Sequence, residues 1–275
     1  MPELPEVETV RRALVPLLEG RTLARVEILD GRLTQPHDPA EVAAELTGET
    51  VARSDRRGKY LLLRLASGRV LVVHLRMTGA FLAGPAAAPG LPHLRALLHL
   101  DDGSRVAFTD VRRFGTWTLL EPRALQAYLA ERLGPEPLGS FSSAAFAVRL
   151  ASRAAPVKAV LLDQKAIAGV GNIYADEALW RARIHPLAPA SSLTAAQLAS
   201  LHRAVRAALR AGIERQGATL RDYRTPDGGE GAMQDEFRVY GRNGEPCPRC
   251  GRAIAKTRVA GRGTHFCPRC QRPSG

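Results

Sequence analysis

A secondary amine placed directly behind an initiator methionine is a latent nucleophile. The chain opens MPELPEVETVRR, and removal of Met1 would turn the nitrogen of Pro2 into a free α-amine. Such an amine has a reference pKa of about 7.7–8.0, far below that of a lysine, so a useful fraction is neutral without deep burial. Neutral, it would be a nucleophile toward an electrophilic carbon. Glu3 stands beside the amine and can move protons. Glu6 and Glu8 follow and can hold the entry of a helix in place.

A second set of reactive side chains lies at the other end. All four cysteines fall in Cys247-Pro-Arg-Cys250 and Cys267-Pro-Arg-Cys270, separated by sixteen residues. Two CxxC turns at this spacing suit one tetrahedral thiolate site for a structural zinc, with two disulfides as the alternative. Four thiolates leave no open position for water, and a basic hairpin of forty residues cannot bury enough core to fold alone. Between the knuckles, KTRVAGRGTH carries Arg262 between two glycines, either a solvated turn or a phosphate clamp. The stretch AGVGNIYADEALW invites a dinucleotide reading, but Tyr174 stands where a third glycine is required and no strand pattern precedes it. Two readings stay open for it: a turn whose backbone N–H groups and Asn172 amide grip a phosphate, and an ordinary helix packing joint.

These residues need scaffolding. Pro5 to Gly20 carries helical spacing, with Val7, Val10, Leu14 and Leu18 on one face and Pro16 as an awkward interior residue. From Thr22 to Leu120 the texture changes to short β runs separated by DG and SG turns, which predicts an antiparallel two-layer sandwich. Glu131 to Gly139 reads as a linker. Helical segments follow, and then an aperiodic glycine-rich loop from Gln216 to Glu236 that reads as mobile. The expected architecture is α+β: residues 1–132 an N-terminal β-sandwich with its helix, 140–235 a helical domain with a loop at about 217–234, and 236–275 a zinc ribbon. The formal charge is +12, and nine Lys/Arg against two Asp/Glu place +7 of it in Glu236 to Gly275. A polyanion, most often nucleic acid, is the partner such a segment favours. No apolar run is long enough to span a membrane and no signal peptide is seen, so a soluble, intracellular protein is expected; it is read as a cytoplasmic monomer.

PELPEVET, RRGKYLLL, HLRMTG, TDVRRFG, GVGNIYADEALW and the CxxC pair with GRGTHFC together resemble the formamidopyrimidine-DNA glycosylases, bacterial base-excision enzymes for oxidised purines. The resemblance spans the chain. It implies a helix–two-turn–helix domain around Gly169 to Tyr174, and double-stranded DNA with an oxidised base or abasic site bent between domains. Pro2 would be the nucleophile, Glu3 the acid/base, Lys59 the group of the β-elimination step, and Arg262 the phosphate clamp of δ-elimination. His93, Arg112, Asn172, Arg153 and Lys158 match DNA-contacting positions. Met77, Arg112 and Phe114 would fill the hole left by the everted nucleotide, and the loop from Thr219 to Gln234 would close over it. The sister glycosylase for oxidised pyrimidines is the runner-up. A catalytically silent damage-binding protein is the alternative from another class.

Overall fold

The computed structural model describes residues 1–87 and 90–273. Residues 88–89 and 274–275, within the first and last of the expected domains, lie outside it. The chain divides into two compact units, Met1–Leu129 with Arg215–Ala232, and Ala130–Glu214 with Met233–Gly275. The sequence reading grouped the glycine-rich loop with the helical domain; the structure builds residues 215–232 into the first unit.

In the first unit, α1 (Leu4–Leu18) begins with Pro5 in its first turn, where a missing N–H breaks no helical bond. Pro16 falls in the last turn and the helix ends two residues later, with Gly20 at φ +81° turning the chain back. Next come β1 (Leu23–Ile28), α2 (Pro39–Leu46), β2 (Val51–Arg57), β3 (Tyr60–Leu65), β4 (Val70–His74), β5 (Gly79–Ala83), β6 (Leu94–Leu100), β7 (Arg105–Asp110), β8 (Thr116–Leu120) and α3 (Pro122–Ala130). Two antiparallel four-stranded sheets result, in the orders β1-β6-β7-β5 and β2-β3-β4-β8. Their inner faces share one core with α1: Val7, Val10, Leu14 and Leu18 pack with Leu61, Leu63, Leu71 and Val73. Phe81 and Phe108 of one sheet close on Trp117 of the other at ring distances of 6.1 and 5.5 Å, fixing the layers with large apolar area.

The second unit holds α4 (Ser143–Ala151), α5 (Val157–Leu162), α6 (Asn172–Ala182), α7 (Ala195–Glu214) and the hairpin of β9 (Ala255–Val259) with β10 (Arg262–Phe266). Helix α6 packs against α5, α7 and β10. The hairpin turn is Ala260–Gly261, both at positive φ, the conformation that suits a two-residue hairpin. Among the described residues, no helix is long and apolar enough to cross a membrane.

Candidate functional site

Pro2 and Glu3 are buried at the start of α1, while Met1 is 48% exposed. The three acids of the opening divide their labour. Glu6 accepts the backbone N–H of Glu3 at 2.8 Å through one carboxylate oxygen and the N–H of Ala218 at 2.9 Å through the other. One side chain thus ties the helix start to the glycine-rich loop, and the close approach leaves no room for a Cβ at Gly217, which would fall 2.7 Å from the Glu6 side chain. Glu8 receives Arg11, Arg12 and Arg56. Arg56 also donates to the Gly58 carbonyl at 2.9 Å, so the β2–β3 turn that carries Lys59 is pinned to α1. Burial raises the Glu8 pKa, but hydrogen bonds from Arg11 and Arg12 and the charges of Arg11 and Arg56 outweigh it and hold the carboxyl at about 2. Lys59 itself is 5% exposed. Burial, then the charges of Arg76 and Lys59, bring the His74 imidazole down to about 3, and as a neutral ring its Nδ1 accepts the Arg76 N–H at 2.9 Å.

The loop from residue 215 to 232 is less loose than its composition predicts. Thr219 accepts the Gly231 N–H and donates to the Tyr223 carbonyl, Ala218 bridges to Ala232, and the Pro226 carbonyl accepts the Ala83 N–H at 2.7 Å. Side-chain hydroxyls thus replace the missing ladder.

Sheet register gathers another group. Gly79 pairs with Asp110 and Leu94 with Thr109, so Met77, His93 and the Val111–Phe114 turn lie at one end of the same sheet. The Arg112 guanidinium donates to the Met77 sulfur at 2.8 Å and sits 4.8 Å from the Phe114 ring centre. Phe114 is 51% exposed, unlike a core aromatic. Arg76, His93 and Arg113 all adopt positive φ here, strain of the kind that collects at functional tips. Buried Asp110 organises the turn, accepting the Thr78 hydroxyl and the N–H groups of Arg112 and Gly115. Arg113 pairs bidentately with Asp30 at 2.6 and 2.7 Å, leaving Arg112 as the outward arginine.

In the second unit Gly171 precedes α6, and Gln164 braces the turn through Leu162, Gly169 and Val170. Asn172 donates to the Gly263 carbonyl at 3.1 Å. Arg262 is exposed as the first residue of β10. The four cysteine sulfurs are free thiols within 4.8 Å of one another, a cluster that suits one tetrahedral ion and not two separate disulfides. The Trp180 indole N–H donates to Cys247 at 3.4 Å, as donors do around a structural thiolate site. The residues fit one structural zinc.

Residues 1–117 match the family model described as the formamidopyrimidine-DNA glycosylase N-terminal domain, 133–224 its H2TH domain, and 244–273 a zinc finger found in FPG and IleRS. The formamidopyrimidine-DNA glycosylase of Chloroflexus aggregans is 50% identical over 93% of this chain and 93% of that protein. The chain belongs to the formamidopyrimidine-DNA glycosylase family. The Symbiobacterium thermophilum member is 52% identical over 93% of this chain and 84% of its own. Among solved structures, a Lactococcus lactis FPG variant in complex with Fapy-dG-containing DNA superposes with a TM-score of 0.92 at 38% identity, covering 98% of this chain and all of that one. The MutM (FPG) protein of Thermus thermophilus gives 0.89 at 47% identity, with full coverage of both chains.

In this glycosylase-family chain two expected contacts stand differently from the sequence reading. Lys158 is fully buried: its ammonium pairs with Asp176 at 2.6 Å and donates to Thr264 Oγ1 and the Gly263 carbonyl. A cation so enclosed is held by the fold and does not face a phosphate. Arg153 is half-exposed and paired with Asp163 at 2.8 Å. Sequence reasoning overlooked Asp110, Asp176 and Glu177. Glu177 accepts the N–H groups of Arg238, Val239 and Tyr240, and burial pushes its pKa up. The signal for the last two was two adjacent acids inside an otherwise apolar helix, which must be paired when buried.

Proposed function

We propose that this chain removes oxidised purines from double-stranded DNA and cuts the strand at the resulting abasic site. The observation that carries the reading is the buried Pro2–Glu3 pair at the head of α1, on a helix start held in place by Glu6, which accepts two backbone N–H groups, and by Glu8, which receives three arginines. With Met1 removed, the Pro2 nitrogen attacks C1′ of the lesion nucleotide, the glycosidic bond breaks, and the base leaves with a proton. The sugar ring opens to an iminium on Pro2. Loss of the C2′ proton expels the 3′ phosphate and a further elimination expels the 5′ phosphate, leaving a one-nucleotide gap. Glu3 moves protons at the sugar, and Lys59 serves the first elimination. Arg262 acts as an electrostatic clamp on phosphate. Met77, Arg112 and Phe114 fill the vacated stack, with His93, Asn172 and the N-terminus of α6 on the backbone. Zinc holds the ribbon's fold and takes no part in the chemistry.

Oxidised purines are the first choice, because HLRMTG and TDVRRFG are the motifs that carry the filler residues. A second substrate class has one specific support: the wild-type Lactococcus lactis FPG is also solved with DNA containing an oxidised pyrimidine. The bacterial cytoplasm is the proposed site of action. A panel of duplexes, each with one oxidised purine or pyrimidine, scored for base release and strand cleavage, tests the reading. Borohydride should trap a covalent adduct on Pro2. An adduct on Lys59, or full activity with a blocked N-terminus, would refute it.

A further inference from the structure

Four arginines surround one cavity beside the thiol cluster of the second unit. It measures about 380 Å³ and is lined by Arg183, Arg249, Cys250, Arg269, Cys270 and Arg272. The guanidinium groups come from three separate stretches: Arg183 at the C-cap of α6, Arg249 within the first CxxC turn, and Arg269 with Arg272 in and just after the second. No carboxylate lines the cavity, and among the described residues no ion pair joins any of the four to an acid.

The thiolates do not account for them. Four thiolates on one divalent ion leave a net charge of about −2, whereas four guanidinium groups, which stay protonated in proteins, carry about +4. The surplus calls for an external anion. Two of the arginines are also set in place. Arg249 lies 4.0 Å over the Trp180 ring and donates to the Trp180 carbonyl at 3.0 Å. Arg183 sits at φ +60°, a helix-ending conformation that glycine or asparagine adopts more readily. Planar forks converging on one space suit a phosphate, which guanidinium groups bind bidentately.

The place of the cavity on the ribbon indicates which phosphate. The knuckles stand at one end of the β9–β10 hairpin and Arg262 at the other, so five-residue strands separate them by about 13–17 Å. Lys256 and Arg258 are exposed between the two ends, and alternation puts both on one face of β9. Each strand of a duplex presents a phosphate about every 3.4 Å of helix axis, so a hairpin of this length lying along the axis spans four or five of them. We propose that this cavity is a second phosphate site that takes the sugar–phosphate backbone of duplex DNA, four or five nucleotides from the phosphate at Arg262. The proposal rests on the DNA-binding reading above and extends the footprint from the tip of the hairpin to its base.

The test uses the full-length, zinc-loaded protein and the triple variant Arg183→Gln/Arg269→Gln/Arg272→Gln, which leaves Arg249 on Trp180. Zinc content and strand cleavage at saturating lesion duplex should match wild type, showing that fold and catalysis survive. On a duplex of about 25 base pairs the variant should bind about tenfold or more weakly near 0.1 M salt, and its log K against log salt slope should be shallower by about 2 to 3. On a duplex of about 8 base pairs centred on the lesion, too short to reach the knuckles, the two proteins should bind alike. Equal loss on both lengths, or no loss on the longer one, overturns the proposal. Inorganic triphosphate bound by wild type and not by the variant, with the long-duplex slope unchanged, assigns the cavity to a free anion and also overturns it. Failure of wild type to cut any lesion duplex would refute the functional reading, while the slope on undamaged duplex would still report on the cavity.

Discussion

At the scale of single residues, the opening PELPEVE is a division of roles among acids that composition alone makes equivalent. Replacing Glu3 by glutamine keeps the shape and removes the proton relay. Base release from an intact lesion should then slow about 100-fold or more, while cleavage at a preformed abasic site, where the base has already left, slows less. Single-turnover kinetics on the two substrates separate these steps, and equal slowing would remove Glu3 from the base-release step. Glu8 makes a different prediction, about pH. Its folded pKa, about 2, lies below the ordinary 4.5, so its contribution to stability is complete above pH 4.5 and is lost as pH falls toward 2. His74 adds acid sensitivity at higher pH. Kept neutral in the fold down to about 3 but protonated below 6.5 when unfolded, it makes the folded state lose ground across that window as pH falls. Urea denaturation from pH 7 to pH 3 should show declining stability, with the lower part of the slope flattened in Glu8→Gln. That variant should also lose about 3 kcal/mol at neutral pH, because three arginines are left without their carboxylate.

Elements explain which of these residues meet. The strand pairing of β5, β6 and β7 brings Met77, His93 and Arg112 to one sheet end, although 35 residues separate Met77 from Arg112. Arg112→Ala should lose about 1 to 3 kcal/mol of discrimination for cytosine opposite the lesion, measured as cleavage rates against the four opposite bases; an unchanged preference would remove Arg112 from the orphaned base. For the glycine-rich loop, Glu6→Ala should speed amide exchange at Ala218 and its neighbours, because the carboxylate that accepts that N–H is gone. Unaltered exchange there would show the loop to be held by its own threonine bonds. Much at this scale was legible in advance. The CxxC spacing, the β runs and the helical face of α1 are short-range patterns, and all three are present in the structure. The burial of Lys158 was not legible, since its partners Asp176, Gly263 and Thr264 come from two other elements and no local pattern marks a lysine as enclosed. The ordering of the glycine-rich loop was hidden for the same reason, because an aperiodic stretch gives no sign of the acid in α1 that will hold it.

On the scale of the whole molecule, each unit carries one tryptophan as its own reporter. Trp117 sits in the sandwich core and Trp180 donates to a cysteine sulfur. Chelation of zinc, or Cys250→Ser, should change the emission of Trp180 and abolish DNA binding while Trp117 keeps its buried spectrum. Metal analysis that found no zinc in active protein would overturn this. The division into units also sets a schedule for biosynthesis. The chain leaves the first unit after Leu129, builds α4 to α7, returns for Arg215–Ala232 and leaves again. A ribosome adds roughly 5–20 residues each second, and domains generally form as they emerge. The sandwich can therefore assemble with its Glu6 carboxylate still lacking Ala218, and it stays in that incomplete form for the seconds needed to make the helices. Pro2 is thus in place well before the segment that would cover its substrate, and a nascent chain arrested after Leu129 should fold its sheets yet remain an open, inactive sandwich.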